Sequence, residues 1–364
     1  NAFGMDTLRS NTTGTYNTAI GRDAMRTNST GGYNVGIGHG ALNANTTASN
    51  NIAVGISALS LNTTGSSNTA FGNNALKVTT TGYGNSATGT KSLYNNTTGH
   101  SNDAVGMRSL YANTTGTNNV AHGNCALYSN TTASYNTAVG SCALCGNTTG
   151  TGHVALGKNA LRDNTTGACN SALGRSSLAN NTTGAKNTGS GYQALATNTT
   201  GGCNTASGYA ALHLNTTGMY DSAFGACSLK SNTTGTSNTA VGFGTLFANT
   251  TADYNTGVGN YALYNNTTGS KNTATGYLAL CANTTGAHNT ASGTYALKAN
   301  TTACYNAAVG FQALFYNTTG CRNSASGAYA LRATITGMCN TASGYGALRY
   351  NTTGNNNTAS GNNA

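Results

Sequence analysis

Apolar positions along the chain keep one spacing, and that spacing is seventeen residues. In the stretch Asn62-Thr63-Thr64-Gly65-Ser66-Ser67-Asn68-Thr69-Ala70-Phe71-Gly72-Asn73-Asn74-Ala75-Leu76-Lys77-Val78, one large aliphatic side chain, Leu76, follows a small one, Ala75. A second small residue, Ala70, comes two places before Gly72. From Asn11 to Tyr350 the pattern fills 340 residues, twenty copies with no insertion or deletion, and the flanking ten and fourteen residues keep its phase. Numbered from the Asn of Asn-Thr-Thr, position 11 is always Gly, and position 15 is Leu except at Met25. An unvarying Gly marks a backbone site with positive φ, or one where a neighbouring chain lies too close for a Cβ. Position 4 is Gly or, at Ala48, Ala133, Ala252 and Ala303, Ala, which points to tight packing rather than a left-handed turn.

One Leu and two small residues per copy bury little apolar surface, so stability has to come from stacking one copy on the next. The repeat is too short for a helical hairpin, and its fixed glycines oppose helix. The pattern predicts an all-β fold, an elongated parallel β-solenoid or β-roll of 17-residue coils, with residues 1–364 forming a single tandem array. Strands are expected at positions 7 to 11 and 14 to 16, with turns at Thr-Gly-x-x-Asn and Gly-x-x-Ala. At about 4.8 Å per coil, some twenty-one coils would extend roughly 100 Å. Position 7 is Asn apart from His153 and Asp221, and in-register Asn side chains can hydrogen-bond along the axis as a ladder. The array starts and stops in mid-repeat, which reads as a window of a longer array.

Composition narrows the function. Charged residues make up only 6% of the chain, with no Glu, Trp or Pro, so something other than surface charge must keep it soluble. No apolar run approaches the roughly twenty residues of a membrane-spanning helix. The net charge of +10 comes from scattered cations opposed by six Asp. Several of them share position 16: Arg9, Arg26, Lys77, Arg162, Lys230, Lys298, Arg332 and Arg349. Tyr94, Tyr111, Tyr128, Phe247, Tyr264 and Phe315 share it too. This position should point outward and form a basic, aromatic edge suited to anionic polysaccharide or a cell surface. No reading motif or dense basic face suggests nucleic acid.

The ten cysteines occupy only the variable positions 5, 6, 13 and 16. Cys125 with Cys142, and Cys304 with Cys321, recur at the same position of successive coils, within disulfide reach in Cα separation, and Cys339 is near the second pair. Cys142-Ala143-Leu144-Cys145 spells a CxxC, but with no second CxxC and no phased His it argues for neither metal nor redox chemistry. Nineteen Asn-Thr-Thr slots keep an N-glycosylation acceptor pattern: Asn11, Asn28, Asn45, Asn62, Asn96, Asn113, Asn130, Asn147, Asn164, Asn181, Asn198, Asn215, Asn232, Asn249, Asn266, Asn283, Asn300, Asn317 and Asn351. The exceptions start at Thr79 and Thr334, and position 3 stays Thr even there. Two readings stand side by side: turn and ladder hydrogen bonding copied with the repeat, or regular glycan decoration that supplies the missing solubility, with Thr as an alternative O-linked acceptor.

At Asn136-Thr137-Ala138-Val139-Gly140 and Asn238-Thr239-Ala240-Val241-Gly242 the repeat resembles the head repeats of trimeric autotransporter adhesins, and also the Asn-Thr-Thr-Gly repeats of tail-fibre-like and large-virus surface proteins. The adhesin heads are usually built on a shorter repeat. The resemblance implies a parallel β-roll of several chains in an extracellular or virion-surface fibre that adheres or projects. The expected role is a homo-oligomeric filament or fibre shaft, with an adhesin or receptor-binding fibre as the alternative. An ice-binding solenoid built on the Thr of positions 2 and 3 is a further reading, opposed by the fact that adjacent residues face opposite ways. No enzyme and no cofactor is expected, since the six Asp fall in five repeat phases and the six His do not cluster.

Overall fold

A computed structural model describes residues 1–364. The chain divides into two compact units, Asn1–Thr183 and Gly184–Ala364, each a parallel β-solenoid. The first holds eleven strands from β1 (Ala2–Phe3) to β11 (Ser171–Leu173), and the second eleven from β12 (Thr188–Ser190) to β22 (Thr358–Ser360). Within a unit each strand pairs in parallel with the next at a shift of one repeat, as Ala155 with Ala172 and Ala325 with Ala342. No helix forms, and none is therefore long and apolar enough to cross a membrane.

After the two-residue β1, each coil contributes one strand of three residues, positions 8 to 10, whose central Ala or Gly faces inward. The second strand expected around Ala-Leu is absent. Every residue at position 15, from Leu8 through Met25 to Leu348, is left-handed, with φ between 48 and 54°. Position 13 is left-handed as well, and such residues cannot extend a strand. The turn still bonds axially, as Leu42 N–H donates to the Ala58 carbonyl at 3.0 Å, and within the coil Ala24 N–H donates to the Gly21 carbonyl at 3.2 Å.

Both reasons for the glycine at position 11 operate together. Gly140 has a φ of 136°, and a Cβ there would lie 2.6 Å from the carbonyl carbon of Gly157. Position 4 glycines lack positive φ but crowd the next coil's carbonyl, as expected from their exchange with Ala. Burying one Leu is worth about 1.5–3 kcal/mol, while holding it left-handed costs about 1–2 kcal/mol. The apolar gain per coil is therefore nearly offset by backbone strain. Hydrogen bonds from coil to coil carry the balance.

Candidate binding face

The amides of position 1 turn inward. From Asn28 to Asn317 these side chains are fully buried. Asn45 Nδ2 donates to Asn28 Oδ1 at 2.7 Å and to the Ala48 carbonyl at 3.0 Å, and the pair of bonds recurs from Asn147 to Asn130 and from Asn283 to Asn266. The nitrogen that an N-linked glycan would occupy is thus the donor that joins one coil to the next. A sugar on it and the ladder are mutually exclusive in this fold, and only Asn11 and Asn351 are not buried. Where Asn is replaced the ladder breaks: Asn62 Oδ1 has no partner opposite Thr79, and Asn317 Oδ1 has none opposite Thr334.

Position 7 makes the second ladder. Asn204 Oδ1 accepts the Asp221 N–H at 2.9 Å, and Asn204 Nδ2 donates to the Gly218 carbonyl at 2.8 Å. His153 reproduces both bonds as a neutral ring. Its Nδ1 accepts the Asn170 N–H at 3.2 Å, its ring bonds the Gly167 carbonyl, and its Nε2 lies 3.2 Å from Asn164 Nδ2. Burial holds its pKa below the usual range, opposed by those two backbone bonds. Asp221 fits less well. Its Oδ1 accepts both the N–H and Nδ2 of Asn238, at 2.9 and 3.2 Å, and its Oδ2 accepts Asn232 Nδ2 at 3.1 Å. Burial raises its pKa to about 7 against the pull of the Asn238 bonds, with the charge of Asp253 adding to the rise.

A third ladder comes from position 2, where Thr46 Oγ1 donates to the Thr63 carbonyl at 3.0 Å. Position 3 does the reverse: its Thr is exposed in every copy, from Thr13 to Thr353, and its hydroxyl bonds nothing. At position 5 short polar side chains accept the preceding coil's N–H, as Ser66 does from Ser49 and Asp253 from Thr236.

The cysteines divide between two environments, and all ten thiols are free. The pairs Cys125 with Cys142 and Cys304 with Cys321 are not joined. Cys304 Sγ accepts the Ala287 N–H at 3.3 Å and Cys321 Sγ accepts the Cys304 N–H at 3.2 Å, so both sulfurs take the role that Ser fills in other coils. Burial pushes the Cys145 thiol up to about 11, helped by Cys142 and Cys125, which leaves it protonated at neutral pH. No three His, Cys or Asp side chains converge as metal ligands would.

The aromatic residues organise one face of the second unit. Phe243, Tyr261, Tyr277, Tyr295, Phe311, Tyr329 and Tyr345 supply one ring per coil, alternately from positions 12 and 13. Their rings meet edge to face: 5.3 Å between Phe243 and Tyr261, 5.5 Å between Tyr277 and Tyr295, 5.4 Å between Phe311 and Tyr329 and 5.6 Å between Tyr329 and Tyr345, at 68 to 89°. Cations of position 16 lie over them. Lys298 Nζ is 5.2 Å from Tyr295 and 5.3 Å from Phe315, Arg332 sits between Tyr316 and Tyr329 at 5.2 and 5.9 Å, and Arg349 is 4.9 Å from Tyr329. Sequence reasoning found the cations and the position 16 rings such as Phe315, but missed the row supplied by positions 12 and 13. The signal in the sequence is an alternation of 34 residues, twice the repeat length.

Searches against protein-family models and curated proteins return no match.

Proposed function

We propose that the chain is a structural segment of an extracellular or virion-surface filament, a fibre shaft that works as a homo-oligomer. The observation that carries this reading is that the same side-chain roles repeat in coil after coil: inward Ala and Leu, two Asn ladders and a Thr ladder. Such an interior sets length and stiffness, and its extension needs only further copies. The resemblance to adhesin-head and tail-fibre repeats points the same way.

A second copy would be met on the strand face of the first unit. Outward position 10 there carries Ile20, Phe71, Val105, Val139, Leu156 and Leu173, all substantially exposed. Two copies side by side share one axial period, so these rows match in register. The hydrophilic coat that a chain of 6% charged residues calls for is assigned to Thr at position 3, whose free hydroxyls face water. Each Oγ1 would displace the nucleotide from an activated sugar and lose its proton to solvent.

Two measurements test the reading. Immunogold labelling in electron micrographs of the native material should decorate projecting filaments, and label confined to dispersed single chains overturns it. Glycopeptide mass spectrometry should find sugar on Thr30-type sites and none on Asn28-type sites. Sugar on the buried Asn would refute the assignment of the coat.

A further inference from the structure

We infer that the ring and cation face of the second unit binds a linear anionic polysaccharide, laid along the coil axis with about one sugar residue per coil. The inference goes beyond the shaft reading and does not depend on it.

Charge is the first argument. The second unit holds seven Lys and Arg against two Asp, and neither carboxylate faces this surface. Asp221 is buried in the ladder, and Asp253 accepts the Thr236 backbone N–H at 2.7 Å and its hydroxyl at 3.2 Å. Lys298, Arg332 and Arg349 make no ion pair, and the Nε of Arg349 is buried without any acceptor. These cations are held in place by rings and, at Arg332, by a hydrogen bond from Nε to Gln312 Oε1 at 2.8 Å, and are not neutralised by carboxylates, which leaves their charge available to a ligand.

Spacing is the second. Coils repeat at about 4.8 Å, comparable with the length of one pyranose unit. Arg332 and Arg349 are one coil apart, and Lys298 precedes Arg332 by two, so they meet acid groups on successive or alternate sugars. Duplex DNA sets one phosphate per about 3.4 Å along each strand, out of step with the coils.

Ring orientation is the third. Binding single-stranded nucleic acid relies on open ring faces on which bases stack. Here the ring faces are met by neighbouring ring edges and by the cations. Yet Phe243, Tyr277, Phe311 and Tyr345 remain 40 to 50% exposed. The electropositive rims of such rings suit hydroxyl and carboxylate oxygens better than a base.

The test is calorimetric titration of the full chain with polygalacturonate, with dextran as the neutral polymer and a thymidine oligonucleotide as the nucleic acid, each at low and physiological salt. Polygalacturonate should bind, dextran should not, and the oligonucleotide should bind at least tenfold more weakly. A Lys298→Gln, Arg332→Gln, Arg349→Gln variant should lose at least tenfold in affinity for polygalacturonate. A control with Arg9→Gln, Arg108→Gln and Lys158→Gln removes the same charge from the first unit and should lose less than threefold. Tyr295→Leu with Phe311→Leu keeps every charge but removes one of the two rings that hold Lys298 and breaks the row, and should also weaken binding; if this pair fails to fold, Tyr295→Leu alone is read in its place. Equal loss in both triple variants, tighter binding of the oligonucleotide, or no binding of polygalacturonate overturns the inference.

Discussion

The two units share one coil and differ in how they handle charge. In the first unit every Asp has a basic neighbour: Asp6 with Arg9 at 3.5 Å, Asp23 with Arg22 at 3.3 Å, Asp103 with His122 at 2.9 Å and Asp163 with Arg162 at 2.6 Å. In the second, neither Asp has a cation, and Lys230, Lys298, Arg332 and Arg349 lie over rings, as Lys77 and Lys91 lie over Tyr94 in the first. A coil whose interior is closed leaves its outer positions free to diverge. The first unit uses them for carboxylate pairs beside a short Tyr94, Tyr111 and Tyr128 stack, and the second for a longer cationic, aromatic row without carboxylates.

The same contrast reaches the position 7 ladder, which the first unit interrupts with His153 and the second with Asp221, and their titrations have opposite signs. Asp221, raised to about 7 from 3.8, keeps its proton in the fold, so its contribution is fully present below pH 3.8 and is lost as pH climbs to about 7. Asp221→Asn should therefore stabilise the second unit at pH 8 by on the order of 4 kcal/mol and flatten its pH profile between 4 and 7. Denaturant midpoints across that range check it, and an unchanged profile refutes it. His153 is held neutral, so its contribution is full above the unfolded value of 6.5 and falls as pH drops below it. His153→Asn should help at pH 5 and matter little at pH 8.

Cutting the position 1 ladder tests whether the units differ only on the outside. Asn147→Ala in the first and Asn283→Ala in the second each orphan an oxygen below and an N–H above. Each should cost roughly 3 kcal/mol, measured by chemical denaturation. A large difference between them would place the contrast in the interior. Mending a ladder should have the opposite sign: Thr79→Asn supplies the donor that Asn62 Oδ1 lacks and an acceptor for Asn96, a gain of about 1–2 kcal/mol.

The smallest effects lie on the surface. Arg162→Gln removes a half-exposed ion pair worth roughly 0–1 kcal/mol that fades with salt. Lys298→Gln removes a ring contact worth about 0.5–1 kcal/mol. Thermal midpoints at low and high salt separate them, and the Arg162 variant should respond more to salt.

The amino-acid sequence alone determined the coil: a fixed seventeen-residue period, Gly where a Cβ would strike the next coil, one Leu for the interior, and parallel stacking because no single copy can bury itself. These features depend on neighbours in the chain and on residue size, both visible in one repeat. Tertiary structure decided which polar side chains go inside. Asn28 and Thr30 are two residues apart and equally plausible as surface groups, yet stacking buries the amide, which can both donate and accept along the axis, and leaves the Thr outside. It also turned Leu42 left-handed, removing the second strand expected around it. Rings at the neighbouring positions 12 and 13 of successive copies became one row because stacking sets each coil directly on the next, and only the stacked fold brings Tyr295 against Phe311.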